Sequence, residues 1–294
     1  MIDEAVPADP SRAVPVRDDV RDHVGLNVLC NVEDWDIPEL QSTVRRILPY
    51  FLPMDPTFPM GKEHRKHWEF SQLLNGLNRL GVVRAGAWVL AVAAGQEEVA
   101  FDLTNDVRWV FCTDIYGSGD FAHVEAEDRI LTDPDAVARC PYNRRRLVVQ
   151  YMDALDLRYE DATFDAVYSS SSIEHFGGLD GAAKALAEQR RVLKPQGIVA
   201  MTTEVIVNGA PTLHDGNLFL FTPEQIDGLC KQVPGLSLVE PIDFTLSKRT
   251  RDKVIPLAKA VEDAQINSYV DYPHIVLEHR GRQYTSISLF LRGD

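Results

Sequence analysis

The sequence predicts a doubly wound α/β fold, a mostly parallel sheet with an N-terminal helical cap. Three observations carry that prediction. First, AWVLAVA (87–93), WVFCTD (109–114), LVVQYMD (147–153), FDAVYSS (164–170) and IVAMTTE (198–204) are short β-branched or aromatic runs. Their continuous apolarity suits strands covered on both faces, as in a parallel sheet. Second, the stretch between the last two runs places Leu179, Ala182, Ala183, Leu186 and Leu193 at helical spacing. Strands alternating with helices imply βαβ units and right-handed crossovers. Third, 45% of the 294 residues are apolar and 25% are charged, the composition of a chain that buries a substantial core.

Taken from the N-terminus, residues 1–22 carry Pro7, Pro10 and Pro15 among acids and small residues and read as a disordered tail. Residues 23–84 read as a helical cap. Within it, Leu40, Val44, Ile47 and Leu48 fall at helical spacing until Pro49 and Pro53 close the element. PMDPTFPMG (53–61) is a Pro-punctuated loop. A second helix then runs from Glu63 to Leu80, with Trp68, Leu73, Leu74, Leu77 and Leu80 as its stripe and Gly81 as its stop. With Lys62, His64, Arg65 and Trp68, residues 54–70 read either as a mobile lid or as a fixed cap with Trp68 in the core. Residues 85–294 hold the sheet. Pro195 and Gly197 end the helix before the fifth strand, and YTSISLFLR (284–292) alternates as a terminal strand. Between Thr245 and Gln283 helix and loop both stay open.

The charge balance narrows the partners. Lys plus Arg is 30 against 44 for Asp plus Glu, a net charge of −14. Such a surface repels nucleic acid and anionic membranes, whereas a small neutral or cationic substrate suits it. Arg144, Arg145 and Arg146 form a local basic run that reads as solvated. The cysteines Cys30, Cys112, Cys140 and Cys230 are scattered, without a CxxC pair, which fits neither a disulfide framework nor a zinc site. The start of the chain has no apolar signal region, and no run approaches the ~18 apolar residues of a membrane span. A cytoplasmic location is the expectation, and a homodimer is compatible with it.

In an open parallel sheet the ligand lies beyond the carboxyl ends of the strands, where the strand order reverses. The first strand runs into Ala93-Ala94-Gly95-Gln96-Glu97-Glu98 before a helix. A pyrophosphate would need that helix start, where amides and the helix dipole favour an anion. Two glutamates there disfavour NAD or ATP and suit a phosphate-free, cationic cofactor such as S-adenosylmethionine. They could equally do no more than complement the dipole. The second strand ends in Asp114, nineteen residues after Gly95, where an acid binds a ribose diol. The third ends in Asp153-Ala154, suited to an adenine amino group. The fourth opens into Ser169-Ser170-Ser171-Ser172-Ile173-Glu174-His175.

In that order, VLAVAAGQE, FCTDI, YMDALDLRYEDATFDAVYSSSSIEH and RVLKPQGIVAMTTE resemble the class I S-adenosylmethionine-dependent methyltransferases, over about residues 85–225. The resemblance implies a Rossmann-like methyltransferase fold across 85–294, with 284–292 as its antiparallel strand, and enzymatic methyl transfer from S-adenosylmethionine. It implies that Ala93, Gly95 and Glu97 contact the methionine part, Asp114 and its neighbour Ile115 the ribose, Asp153 and Ala154 the adenine, and Ser170 the open side of the cofactor. Members of the family carry an acid at Ala91 and glycines at Ala93 and Glu97. The methyl of Ala93 requires a negative φ there, and Glu97 could replace the missing acid. SSIEHFGG, TTEVIVNG and LFLFTPEQI further resemble bacterial methyltransferases of glycan assembly, some of them sugar O-methyltransferases of methylmannose polysaccharide synthesis.

That narrower resemblance implies O-methylation of a saccharide hydroxyl. A small-molecule N- or O-methyltransferase and a non-catalytic cofactor-binding homologue stand beside it. His175 is the candidate general base, just past the fourth strand, although it could equally pack structurally. His214 and Glu204 are the next candidates. Asp215, Glu204 and His175 could supply ligands to a magnesium ion that positions vicinal hydroxyls, given several oxygens in octahedral array.

Overall fold

The apolar runs form the interior of a nine-stranded sheet. The computed structural model describes residues 13–18, 23–209, 212–265 and 272–294. In chain order the strands are β1 (Trp88–Val92), β2 (Trp109–Asp114), β3 (Leu147–Tyr151), β4 (Phe164–Ser170), β5 (Leu193–Gly209), β6 (Leu236–Leu238), β7 (Val254–Pro256), β8 (Val276–His279) and β9 (Arg282–Gly293). Across the sheet they run β7-β8-β9-β5-β4-β1-β2-β3, with β6 also paired to β9. Strands β1 to β5 are mutually parallel, and β9 is antiparallel to β5 and β8. All seven residues of β4 are buried, the polar Asp165, Ser169 and Ser170 included, as expected of a strand covered on both sides.

The main helices are α1 (Pro38–Ile47), α2 (Arg65–Arg79), α3 (Glu98–Leu103), α4 (Leu179–Val192), α5 (Pro223–Gln232) and α6 (Leu257–Gln265). After β1 the chain steps to β2 on one side, and after β4 it steps to β5 on the other. Right-handed crossovers therefore put α3 and α4 on opposite faces. Helices α1, α2 and α3 pack on one another, while α4 packs on α5. Among the described residues no helix is long and apolar enough to cross a membrane.

Helix α2 is more than a cap. Its N-cap His64 accepts from the amide of Lys66 at 3.2 Å, and Gly81, at φ 72°, leads the chain away beyond Leu80. It lies across β4, β5 and β9, and a Cβ on Gly76 would sit 2.1 Å from Cζ of Phe290. Trp68 is fully buried, its Nε1 donating to Asp34 Oδ2 at 2.9 Å. Of the two readings of residues 54–70, the packing matches the fixed one. Residues 13–18, expected in a disordered tail, are held down: Val16–Arg17 pair in parallel with Leu246–Ser247, and the Val14 amide donates to the Val207 carbonyl at 3.0 Å. The remainder of that tail, 1–12 and 19–22, lies outside the described residues.

Three local expectations change, and one open stretch is filled in. The helix stops at Val192, before Pro195 and Gly197 are reached; β5 begins at Leu193, and a register shift opposite Phe164 and Ala166 absorbs residues 194–197. The third strand stops at Tyr151, so Met152 and Asp153 leave the sheet. Residues 245–283, left open, contribute β7, α6 and β8 to the far edge of the sheet. Arg146 is not simply solvated: its Nη1 donates to the carbonyls of Thr104, Asn105 and Val107 after α3.

Candidate functional site

The strand order reverses between β1 and β4, so their carboxyl ends open the crevice in which a ligand can reach both. The β1 turn is tight. Gly95 has φ 49°, and a Cβ there would lie 2.7 Å from the Glu125 carbonyl oxygen. Ala93 has φ 50°. The negative φ expected of it is not what the fold adopts, because the chain must reverse into α3 within four residues. A left-handed alanine stores strain of the kind that collects at ligand sites.

Asp114 closes this turn from the tip of β2. Its Oδ2 accepts from the Gly95 amide at 2.9 Å and its Oδ1 from the Ile115 amide at 2.7 Å. Burial raises its carboxyl, with those two amides pulling it back. Asp153 Oδ1 accepts from the Leu155 amide at 2.8 Å. A cavity of about 290 Å³ opens between these carboxylates, with Ala93, Ile115, Met152, Ala154 and Phe176 among its walls. His175 lines it as well. The His175 Nδ1 lies 2.9 Å from the carbonyl oxygen of Asn217, and its ring sits 4.8 Å from that of Phe121. Because a carbonyl only accepts, Nδ1 is assigned the proton and Nε2 carries the free lone pair.

Next to this cavity lies a charged cluster that joins Arg65, Glu97 and Glu204 to two residues the sequence did not single out, Lys66 and Glu69. Glu69 of α2 is fully buried. It pairs with Arg65 at 3.2 Å and Lys66 at 3.1 Å, and accepts from Ser171 Oγ at 2.7 Å and from Ser286 Oγ. Arg65 also reaches Glu204 at 2.5 Å. Glu97 caps the start of α3, and its Oε2 is buried with no hydrogen-bond partner among the described residues. Burial pushes the Glu97 carboxyl up to about 8, Lys66 opposing and Glu69 adding to the rise. The adjacent Glu98 points elsewhere, 3.8 Å from Arg139. Only one of the two glutamates thus bears on the site.

Of the residues expected from the sequence, Ala93, Asp114, Ile115, Asp153, Ala154 and His175 line one cavity. Gly95 and Glu97 border it through the β1 turn, and Ser170 ends β4 nearby, buried. Others are not brought in. His214 packs its ring 5.6 Å from Phe219 in the 213–215/218–220 hairpin. Glu204 is held by Arg65. Asp215 binds His279 at 2.7 Å and Arg280 at 3.1 Å. The expected magnesium ligands Asp215, Glu204 and His175 therefore do not converge, each being engaged by a different partner. Among the described residues no group of three His, Cys, Asp or Glu side chains could hold a metal ion. The residues missed, Lys66 and Glu69, had one faint signal: charges spaced i, i+3 and i+4 on a helix, Arg65 and Lys66 each facing Glu69.

Residues 90–201 match the family model of a methyltransferase domain. Among solved structures, the chain is similar to a Galdieria sulphuraria protein named for sarcosine and dimethylglycine methyl transfer (18% identity, 76% of this chain, 84% of that chain, TM-score 0.49). It is similar to the [4+2]-cyclase SpnF (18% identity, 94% and 99%, TM-score 0.49). It is also similar to phosphoethanolamine N-methyltransferase 2 of Haemonchus contortus in complex with S-adenosyl-L-methionine (17% identity, 87% and 60%, TM-score 0.48).

Proposed function

We propose that this chain, whose residues 90–201 match the family model of a methyltransferase domain, transfers a methyl group from S-adenosylmethionine to a hydroxyl of a sugar or oligosaccharide. The residues present fit the donor. Asp114, with one lone pair on each oxygen already taken by an amide, has capacity left for a ribose diol. Asp153 and Ala154 suit the adenine edge, with Ile115 as an apolar wall. The orphaned Glu97 Oε2 suits an ammonium, with Ala93, Gly95 and Ser170 around the same end. When bound, S-adenosylmethionine supplies an electrophilic methyl carbon on a sulfonium.

What the chain must add is alignment and a place for the hydroxyl proton. The observation that carries the reading is His175, which lines the donor cavity with Nδ1 fixed on the Asn217 carbonyl. Its Nε2 is then the atom that accepts the hydroxyl proton as the carbon–oxygen bond forms. Asn217 positions the ring. The test is methyl release from labelled donor against a panel of mono- and oligosaccharides, with His175→Ala alongside. Turnover should fall by ~10²–10⁴-fold, the contribution of a positioned base, with donor affinity nearly intact. Unchanged turnover in His175→Ala would remove this residue from the chemistry.

A further inference from the structure

The charged cluster beside the donor cavity has a polarity of its own. Its cations are Arg65 and Lys66, and its carboxylates are Glu69, Glu97, Glu174 and Glu204. Arg65 and Lys66 are both engaged at ion-pair distance, on Glu69 and Glu204. Glu97 and Glu174 form no ion pair among the described residues. The donor's ammonium accounts for Glu97 under the reading above. Glu174 is left over.

Glu174 is fully buried. Its Oε2 accepts from Thr203 Oγ1 at 2.8 Å, while its Oε1 is buried with no hydrogen-bond partner among the described residues. Such an oxygen has lost its water without a replacement donor, an arrangement that calls for an explanation by a ligand or ion. Its surroundings say which ligand. Glu174 immediately precedes His175, a wall of the donor cavity, and its carboxyl interacts electrostatically with that residue. Burial pushes the Glu174 carboxyl up to about 7, with His175 opposing and Glu204 adding. The cluster sets four carboxyls against two cations, and a protonated amine is a donor that also stabilises the ionised form of Glu174.

We propose that Glu174 anchors a protonated amine of the methyl acceptor, its Oε1 receiving the N–H. This inference rests on the methyltransferase reading but not on the acceptor being a sugar.

The experiment is calorimetry on the protein loaded with S-adenosylhomocysteine, using paired probes: glucosamine against glucose, ethanolamine against ethylene glycol, and benzylamine against benzyl alcohol. The amine of at least one pair should bind about tenfold or more tighter than its neutral partner, as for a buried charge pair. Glu174→Gln should erase that preference, with a thermal melt establishing that the variant folds. If it does not fold, the wild-type pairs decide alone. Neutral members binding as tightly as the amines, no amine binding at all, or a preference that survives in folded Glu174→Gln would each overturn the proposal. Amine binding without any methyl release would instead sink the transfer reading while keeping the subsite.

Discussion

Two residues at the cavity mouth show what spacing can and cannot reveal. Asp114 stood out not alone, since an acid at a strand tip is commonly a helix cap, but together with its spacing of nineteen residues past a tight turn and the polar tips of the next two strands. Ala93 was legible as a contact but not in its conformation, since φ is set by how α3 must leave β1 rather than by local residue type. At φ 50° its side chain meets its own backbone, a conformation worth about 1–2 kcal/mol of strain for an L-residue. Glycine would remove that strain but gain freedom in the unfolded chain, worth ~0.4–1 kcal/mol. The strain is the larger of the two, so Ala93→Gly should raise the denaturation free energy by up to ~1 kcal/mol. A urea titration showing destabilisation would mean that Ala93 is unstrained in solution.

Helix α2 carries the same lesson one scale up. Its apolar stripe predicted a helix and a buried Trp68, and both are present. What periodicity could not say is where Glu69 finds donors, because Ser171, Thr202 and Ser286 lie more than 100 positions away in sequence. The polar end of a helix is read only once its tertiary neighbours are known. Packing also reverses a rule of local propensity. Alanine is favoured over glycine inside a helix by ~1 kcal/mol, yet at Gly76 an added Cβ would lie 2.1 Å from Phe290 Cζ. Overpacking a filled core costs ~1–3 kcal/mol or more, and here the ring has β9 behind it. Gly76→Ala should therefore lower the thermal midpoint, and a midpoint that rises would show α2 free to lift from the sheet.

At the scale of the whole molecule, the parallel half of the sheet was legible and the far edge was not. Strands β1 to β5 announce themselves through their short apolar runs, whereas β7 and β8 are only three and four residues long and are specified by pairing, β7 on β8 and β8 on β9, rather than by pattern. The N-terminal segment is similar: Cys30 and Val28 bond to Ser286 and Ser288 along the open side of β9, a contact across most of the chain. The buried titratable groups of this assembly set a pH profile that their locations alone would not suggest. His64, His67 and His274 are held below the ordinary histidine range chiefly by burial, His67 and His274 at about 4. An unfolded chain binds protons at these histidines up to pH ~6.5 and the native one does not, so stability rises with pH through that window. Glu97 and Glu174 act oppositely. Raised to about 8 and about 7, they keep protons in the native state that the unfolded chain has released above pH ~4.5, so stability falls as pH rises through those values. Three histidines outweigh two carboxyls below pH ~6.5, and above it only the carboxyls still titrate. The free energy of unfolding should thus peak near pH ~6.5 and decline toward pH ~8.5, read by chemical denaturation at several pH values. S-adenosylmethionine should flatten the alkaline limb by giving Glu97 a cation. Stability that keeps climbing beyond pH 8 would show that these carboxyls ionise in the native protein at their ordinary values.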